Sequence, residues 1–274
     1  MKRKQVVCYL ALAVLGLFLL AGLAAPLIAP WDPNQVDMAN SLAGPSPEHW
    51  LGTDHLGRDL LSRLIYGSRS SVFIAFFATG CTLMVGMTIG LISGYLGGWP
   101  DQRIQAVVHI FQGIPSTAFV VAVLGLLGPG LRSLLIAIVV SSWAGFSRIV
   151  RNQVLEVREL HYIEGARAMG AGSVYIIRRH ILPNILLPLL VLIATRIGYT
   201  VLTVAAMIYL GLGLRAPAAD WGIMINDAKL YYLRYAPVLL APAACLTLFC
   251  LSIHLIADCL RDRLDHDDGS ARML

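Results

Sequence analysis

Charge is scarce in this sequence: Asp, Glu, Lys and Arg make up 14% of its 274 residues, against 57% hydrophobic, and the mean hydropathy is +0.72. A water-soluble domain carries about 25% charged residues, so a soluble enzyme is excluded. No G-x4-G-K-[ST] phosphate loop is present, so this chain has no Walker-type site for nucleotide hydrolysis. The five cysteines, at 8, 81, 245, 250 and 259, lack C-x2-C spacing and lie in or beside apolar segments. Neither a disulfide framework nor a zinc site is therefore expected, and they read as small core residues. The long apolar runs carry no Asp or Glu in their interiors, where a proton-coupled carrier would place them, and no inverted repeat is evident. Of the seven His, His109 and His254 fall within runs, near their ends, so no mid-membrane metal pair exists. Ser141 and Ser142 have no His close in sequence and read as small helix-packing residues rather than a nucleophile.

What the chain does have is uncharged sequence longer than a bilayer requires, repeated from end to end. Val6 to Ile28 follows Lys2, Arg3 and Lys4, is too long for a signal-peptide core and lacks an A-x-A site, so it reads as a retained first span. Further spans are predicted around 72–96, from Ile104 to about Leu127, from Leu131 to about Ser147, from Leu186 to about Tyr209, and from Tyr235 to Ala257. With both termini in the cytoplasm, 13 Lys and Arg fall on the cytoplasmic side and 7 outside, with Arg196 inside span five. That bias follows the positive-inside rule and accounts for the net charge of +5 without nucleic acid. Continuous rather than alternating apolar runs exclude a β-barrel.

The expected class is an all-α membrane protein with six transmembrane helices, a helical cytoplasmic loop and an external amphipathic helix. Its parts would be 1–69 (first span and external loop), 70–260 (a five-helix core containing the loop 148–185) and 261–274 (a tail). In the external loop, Leu56, Leu60, Leu61, Leu64 and Ile65 recur at helical spacing after Thr53 and Asp54, either of which could cap the helix. Arg58, Asp59, Arg63 and Arg69 lie off that stripe. The helix reads either as interfacial, lying on the outer membrane face, or as a docking surface for an extracytoplasmic partner. In the cytoplasmic loop, Val154, Val157, Leu160 and Ile163 suit one helix ending at Gly170 in a left-handed cap. Ser173 can cap a second short helix stopped by Pro183. Asp262, Asp265, His266, Asp267 and Asp268 are expected to form a short, frayed, solvated tail.

Glu164, Ala166, Gly170, Leu182 and Pro183 resemble the E-A-A-x3-G-x9-I-x-L-P coupling motif of permease subunits in bacterial ATP-binding-cassette importers. Gly165 stands where that pattern has alanine, and His180 where it has isoleucine. The stretches Leu51 to Asp59, Ser62 to Leu64 with Gly67, Leu210 to Gly213, and Trp221-Gly222 extend the likeness along essentially the whole chain. Together they resemble the second permease of the dipeptide, oligopeptide and nickel importer family. The resemblance implies a bacterial inner-membrane subunit with no cofactor of its own, no catalytic residues and no resident metal. Separate ATPase subunits would consume ATP and Mg and grip the knob around Glu164 to Gly170. A homologous sister permease would complete the pathway within the lipid, and an extracytoplasmic substrate-binding protein would dock near Asp54, Arg58, Asp59, Arg63 and Trp221.

Arg196, midway along span five, is the candidate pathway charge, because a central Arg costs on the order of 3 kcal/mol to insert and must face protein or water. It reads either as a contact to the sister permease, as a counter-charge for an anionic cargo, or as a snorkelling side chain. Val204 is the second pathway candidate: peptide-type members often have Glu there, and Trp221 to Ala228 resembles the nickel type. Nickel or a metal chelate is the favoured cargo, with short peptides as the alternative.

Overall fold

The computed structural model describes residues 2–271, with side chains from 4 to 262. Helices α1 (Lys2–Leu23) and α12 (Pro237–Ala271) lie antiparallel, with the Phe18 ring edge-on to Phe249 at 5.9 Å between centroids. Lys4 Nζ donates to Asp262 at 2.7 Å, so both ends of the chain sit at the same end of the bundle. A Cys8–Cys259 disulfide joins the two helices there, which corrects the expectation that all five cysteines are unpaired. The partners are 251 positions apart, and cysteine spacing carries no information about which helices become neighbours. α12 continues past Asp258, where the sixth span was expected to close; the side chains of the acidic tail beyond 262 lie outside the described residues.

After the short α2 (Ala25–Ile28), the external loop leads into α3 (Leu60–Gly67). Asp59, not Thr53 or Asp54, is its cap, accepting from the Ser62 amide at 2.7 Å. Asp54 instead closes the preceding turn, accepting from the amides of Leu56 at 2.9 Å and Arg58 at 3.0 Å. α3 passes through a π-helical turn, Ser68–Val72, into α4 (Phe73–Leu96), making one helical stretch of 37 residues from Leu60 to Leu96. The expected separate interfacial helix is thus the first part of span two.

α4 packs along α7 (Leu131–Arg158) through Gly86, Gly90 and Gly94, spaced four apart and so stacked on one face. A Cβ on Gly90 would lie 2.6 Å from the Ser147 carbonyl oxygen, and one on Gly94 2.8 Å from Val154 Cβ. Small residues let the two backbones meet where apolar lipid gives no hydrophobic drive for association.

The expected third span is two helices, α5 (Gly98–Gly113) and α6 (Ser116–Leu127), bent by 87°. Pro115 removes a backbone donor and forces Ile114 into an extended conformation, φ −94 and ψ 128, which ends the helix. Span four overruns its predicted end at Ser147, because Val150, Val154 and Val157 extend the buried stripe of α7 to Arg158. The first helix expected in the cytoplasmic loop is therefore largely the tip of α7. A break at Glu159 and Leu160 separates it from α8 (His161–Ala168).

The chain is helical again from Ser173 to Tyr209: α9 (Ser173–Ile176), a π turn Ile177–Ile181, and α10 (Leu182–Tyr209). Ser173 makes no capping bond, and Pro183 does not stop the helix. Pro183 sits in the first turn after the π segment, where looser i→i+5 bonding accommodates the missing donor. α11 (Trp221–Ala228) is capped by Asp220, which accepts from Gly222 N at 2.8 Å. Counting the bent pair as one, six spans result, as the sequence implied.

Candidate functional site

At the end of the bundle shared by the chain termini, α8 and α9 form a knob. Ile163 and Ala166 face inward, with Ile163 packed among Val154, Val157, Ile176, Ile181 and Ile185. Glu164, Gly165 and Gly170 face outward, Pro183 is exposed and Leu182 is half-buried, so the motif residues divide between an anchoring side and a presented one. α8 ends as the sequence predicts. Gly170 has φ +86, its amide donates to Arg167 O at 2.9 Å, and the Ala171 amide donates to Ala166 O at 3.0 Å. This pair of bonds is a Schellman cap, which needs a left-handed residue after the helix. Open space surrounds the Cα of Gly165, so the alanine of the motif would fit there without a clash. On either side of Gly170, Met169 is 84% exposed and Val174 68%.

Midway through the bundle, Ser116, Thr117, Ser141, Ser142, Tyr199, Thr200 and Thr203 line a cavity of about 10 Å³ with Val120 and Ile138. Three elements supply them: the start of α6 just after the Pro115 break, the middle of α7, and α10. Thr79 of α4 adds a bond to Thr200 at 3.1 Å. Arg196 lies on the same side of α10 as Tyr199 and Thr203, three and seven residues away. Its guanidinium lies against Gly145, where a Cβ would be 3.2 Å from an Arg196 Nη. Among the described residues no carboxylate lies within ion-pair distance of Arg196, and no group of three or more His, Cys, Asp or Glu could hold a metal. Val204 does not join this face. It is 1% exposed and packs on Ala78, Val120, Leu124 and Ile138, because its position turns it toward α4 and α6.

At the opposite end, the loop between α2 and α3 folds onto α11. Arg58 and Arg63, 2% and 1% exposed, converge on Asp54, with Arg58 Nε donating at 2.7 Å and Arg63 Nε 3.4 Å away. Arg63 also donates to the Pro33 carbonyl at 2.9 Å, and Arg58 reaches Asp227 of α11 at 3.5 Å. Asp59 pairs with His49 at 3.0 Å. Trp221 is wholly buried, donating to Leu64 O at 3.2 Å, and its ring occupies the space a Cβ on Gly67 would need. Burial pushes the Asp220 carboxyl above its usual range, although Ser71 Oγ donates to it at 2.7 Å. The residues expected to meet an external partner are therefore internal: they lock the loop in place, and Trp50, Leu51 and Met38 form its exposed surface. Helical periodicity marked the charges as off-stripe, but it could not show that they pair with one another and with α11.

The sequence reading missed the hydroxyl cluster, whose members come from three distant segments. It also missed the glycine ladder, for which the four-residue spacing of 86, 90 and 94 was an available signal.

Comparison with known proteins agrees with this architecture. Residues 86–266 match the family described as binding-protein-dependent transport system inner membrane component, and residues 3–45 match the N-terminal TM domain of oligopeptide transport permease C. A dipeptide transport system permease protein of Alkalihalophilus pseudofirmus is 38% identical over 96% of this chain and 86% of its own length. The nickel transport system permease protein of Escherichia coli is also 38% identical, over 93% of this chain and 92% of its own. A metal-staphylopine import system permease protein of Staphylococcus aureus is 33% identical over 93% and 89%. Among solved structures, the MetNI methionine ABC transporter in inward facing conformations shares the fold with a TM-score of 0.61 at 21% identity, over 73% of this chain and 95% of that one. This chain belongs to the family of inner-membrane permease subunits of binding-protein-dependent ABC importers.

Proposed function

We propose that the chain forms half of an import pathway for a hydrophilic, anionic or zwitterionic solute, with nickel carried as a chelate the favoured cargo. The observation that carries this reading is Arg196: a cation with no carboxylate partner among the described residues, next to a cluster of neutral hydroxyls, with no group of three or more His, Cys, Asp or Glu among those residues to hold a metal. Hydroxyls and one guanidinium suit carboxylate groups in transit, whereas a bare nickel ion would call for imidazole or thiolate. In this reading a sister permease lies across the hydroxyl face, ATPase subunits hold the knob from Glu164 to Gly170 and consume ATP and Mg, and a binding protein delivers cargo to the loop locked by Asp54, Arg58, Asp59, Arg63 and Trp221. Both termini lie in the cytoplasm, beside the ATPases. Parts 1–69, 70–260 and 261–274 act as anchor and outer platform, transport core, and tail.

Short peptides are the second reading, since a relative named for dipeptide transport is as similar as one named for nickel. Uptake of radioactive nickel, supplied with histidine, and of a labelled dipeptide should be compared in cells with and without the gene. Loss of nickel uptake alone supports the chelate, and loss of dipeptide uptake alone moves the cargo to the peptide branch. Arg196→Met should cut uptake of the true cargo at least tenfold; unchanged kinetics would remove Arg196 from the pathway.

A further inference from the structure

α5 is attached to the bundle differently from every other long helix. None of its residues belongs to the three apolar clusters that hold the rest together. Its buried residues are Asp101, Gln105 and Val108, two of them polar. Val108, fully buried, and Phe111, edge-on to Trp143 of α7 at 5.2 Å, give α5 some apolar contact, and beside them lies a joint of hydrogen bonds to α7 and α4. Asp101 Oδ1 accepts from Arg151 Nε at 2.6 Å and Oδ2 from Arg151 Nη2 at 2.5 Å, a two-point carboxylate–guanidinium pair. Ser93 of α4 donates to Asp101 at 2.5 Å, and Gln105 donates to Ser93 at 2.9 Å. Near the far end of α5, Arg148 donates to Gln112 at 2.8 Å. One helical face of α7 thus grips α5 near both ends.

The same stretch of α7 runs straight to the knob. Arg158, its last residue, donates to the Gly94 and Tyr95 carbonyls at 2.9 and 3.1 Å, closing the C-terminus of α4 with a cation. Arg167 of α8 lies over the Tyr95 ring at 5.4 Å. From the other end of α5 the chain turns through Ile114 and Pro115 into α6, whose Ser116 and Thr117 line the hydroxyl cavity.

We propose that Asp101 and Arg151 are positioning residues for transport: their pair makes α5 follow α7 and the knob, so that knob displacement reaches the Pro115 bend and reshapes the hydroxyl-lined face. The inference rests on the coupling role given to the knob above. A directional, two-point pair suits this task because its fixed fork geometry resists sliding and rotation. Because the three apolar clusters lie elsewhere and Val108 and the Phe111–Trp143 contact keep α5 against the bundle, weakening the joint should spare the fold and loosen the linkage.

The test is the amount of cargo moved per ATP hydrolysed, in liposomes holding the importer purified with its sister permease and ATPases and supplied with its binding protein. Radioactive nickel with histidine and a labelled dipeptide serve as probes. Asp101→Asn and Arg151→Lys should each keep ATP hydrolysis within about twofold while lowering uptake per ATP about tenfold or more, and the swap Asp101→Arg with Arg151→Asp should recover part of it. An unchanged ratio in both single variants overturns the proposal. So does parallel loss of both activities in Arg151→Lys, which keeps the charge, because the pair would then serve folding alone. Gly170→Pro in the same assay separates the two levels: if it transports normally, the knob assignment itself has failed and the joint falls with it.

Discussion

The two ends of the molecule handle charge in opposite ways. At the end away from the knob, Arg58, Arg63, Asp54 and Asp59 are buried and paired with one another, with His49, with Asp227 and with backbone carbonyls. At the knob, Glu164 and His161 are exposed and 3.9 Å apart, with solvent on both, while Met169 and Val174 protrude beside them. A surface built to be fixed consumes its polar groups internally. The knob, which the proposed coupling role would have a partner grip, leaves them available. The contrast teaches that an off-stripe charge is no guide to a docking face until its partners are known.

The largest effect should come from breaking the outer lock. Asp54→Ala leaves two buried guanidiniums without their shared carboxylate and should cost about 3–5 kcal/mol, seen as loss of the protein from membranes. Retention at normal levels would mean that the outer charges are solvated in the membrane. Next comes the bundle centre, where Gly90→Leu drives a side chain into the Ser147 carbonyl and should destabilise by at least about 1–3 kcal/mol, read from the melting temperature in detergent. At the knob, Gly170→Pro cannot adopt φ +86 and loses the bond to Arg167 O, yet the bundle core is untouched. It should accumulate normally and hydrolyse ATP without uptake. The smallest effect is Gly165→Ala, which has room for its Cβ and should stabilise α8 by about 0.5–1 kcal/mol while uptake stays the same.

Much of the fold was legible because continuous apolar sequence has few solutions in a bilayer. Span number and the Gly170 cap followed from composition and period, as did Val154, Val157 and Ile163 of the expected apolar set, whereas Leu160, in the break before α8, is 43% exposed. Helix limits were less legible. Pro115 broke its helix while Pro183 did not, and the difference lies in the π turn before Pro183, which no residue type announces. For the candidate site, the knob could be read locally since its residues are close in sequence. The hydroxyl face, the Asp101–Arg151 joint and the Cys8–Cys259 bond link positions that only packing brings together. Val204 shows the same limit from the other side: sequence position marked it for the pathway, whereas its side chain is buried against α4 and α6.

The most direct measurement is site-specific photocrosslinking in living cells, with a photoreactive residue placed at Met169 on the knob or at Trp50 on the outer loop. The account predicts that position 169 captures the ATPase subunit, identified by mass spectrometry, and that position 50 does not. Capture of the ATPase at 50, or its absence at 169 in cells that import normally, would contradict the assignment of the knob as the coupling surface.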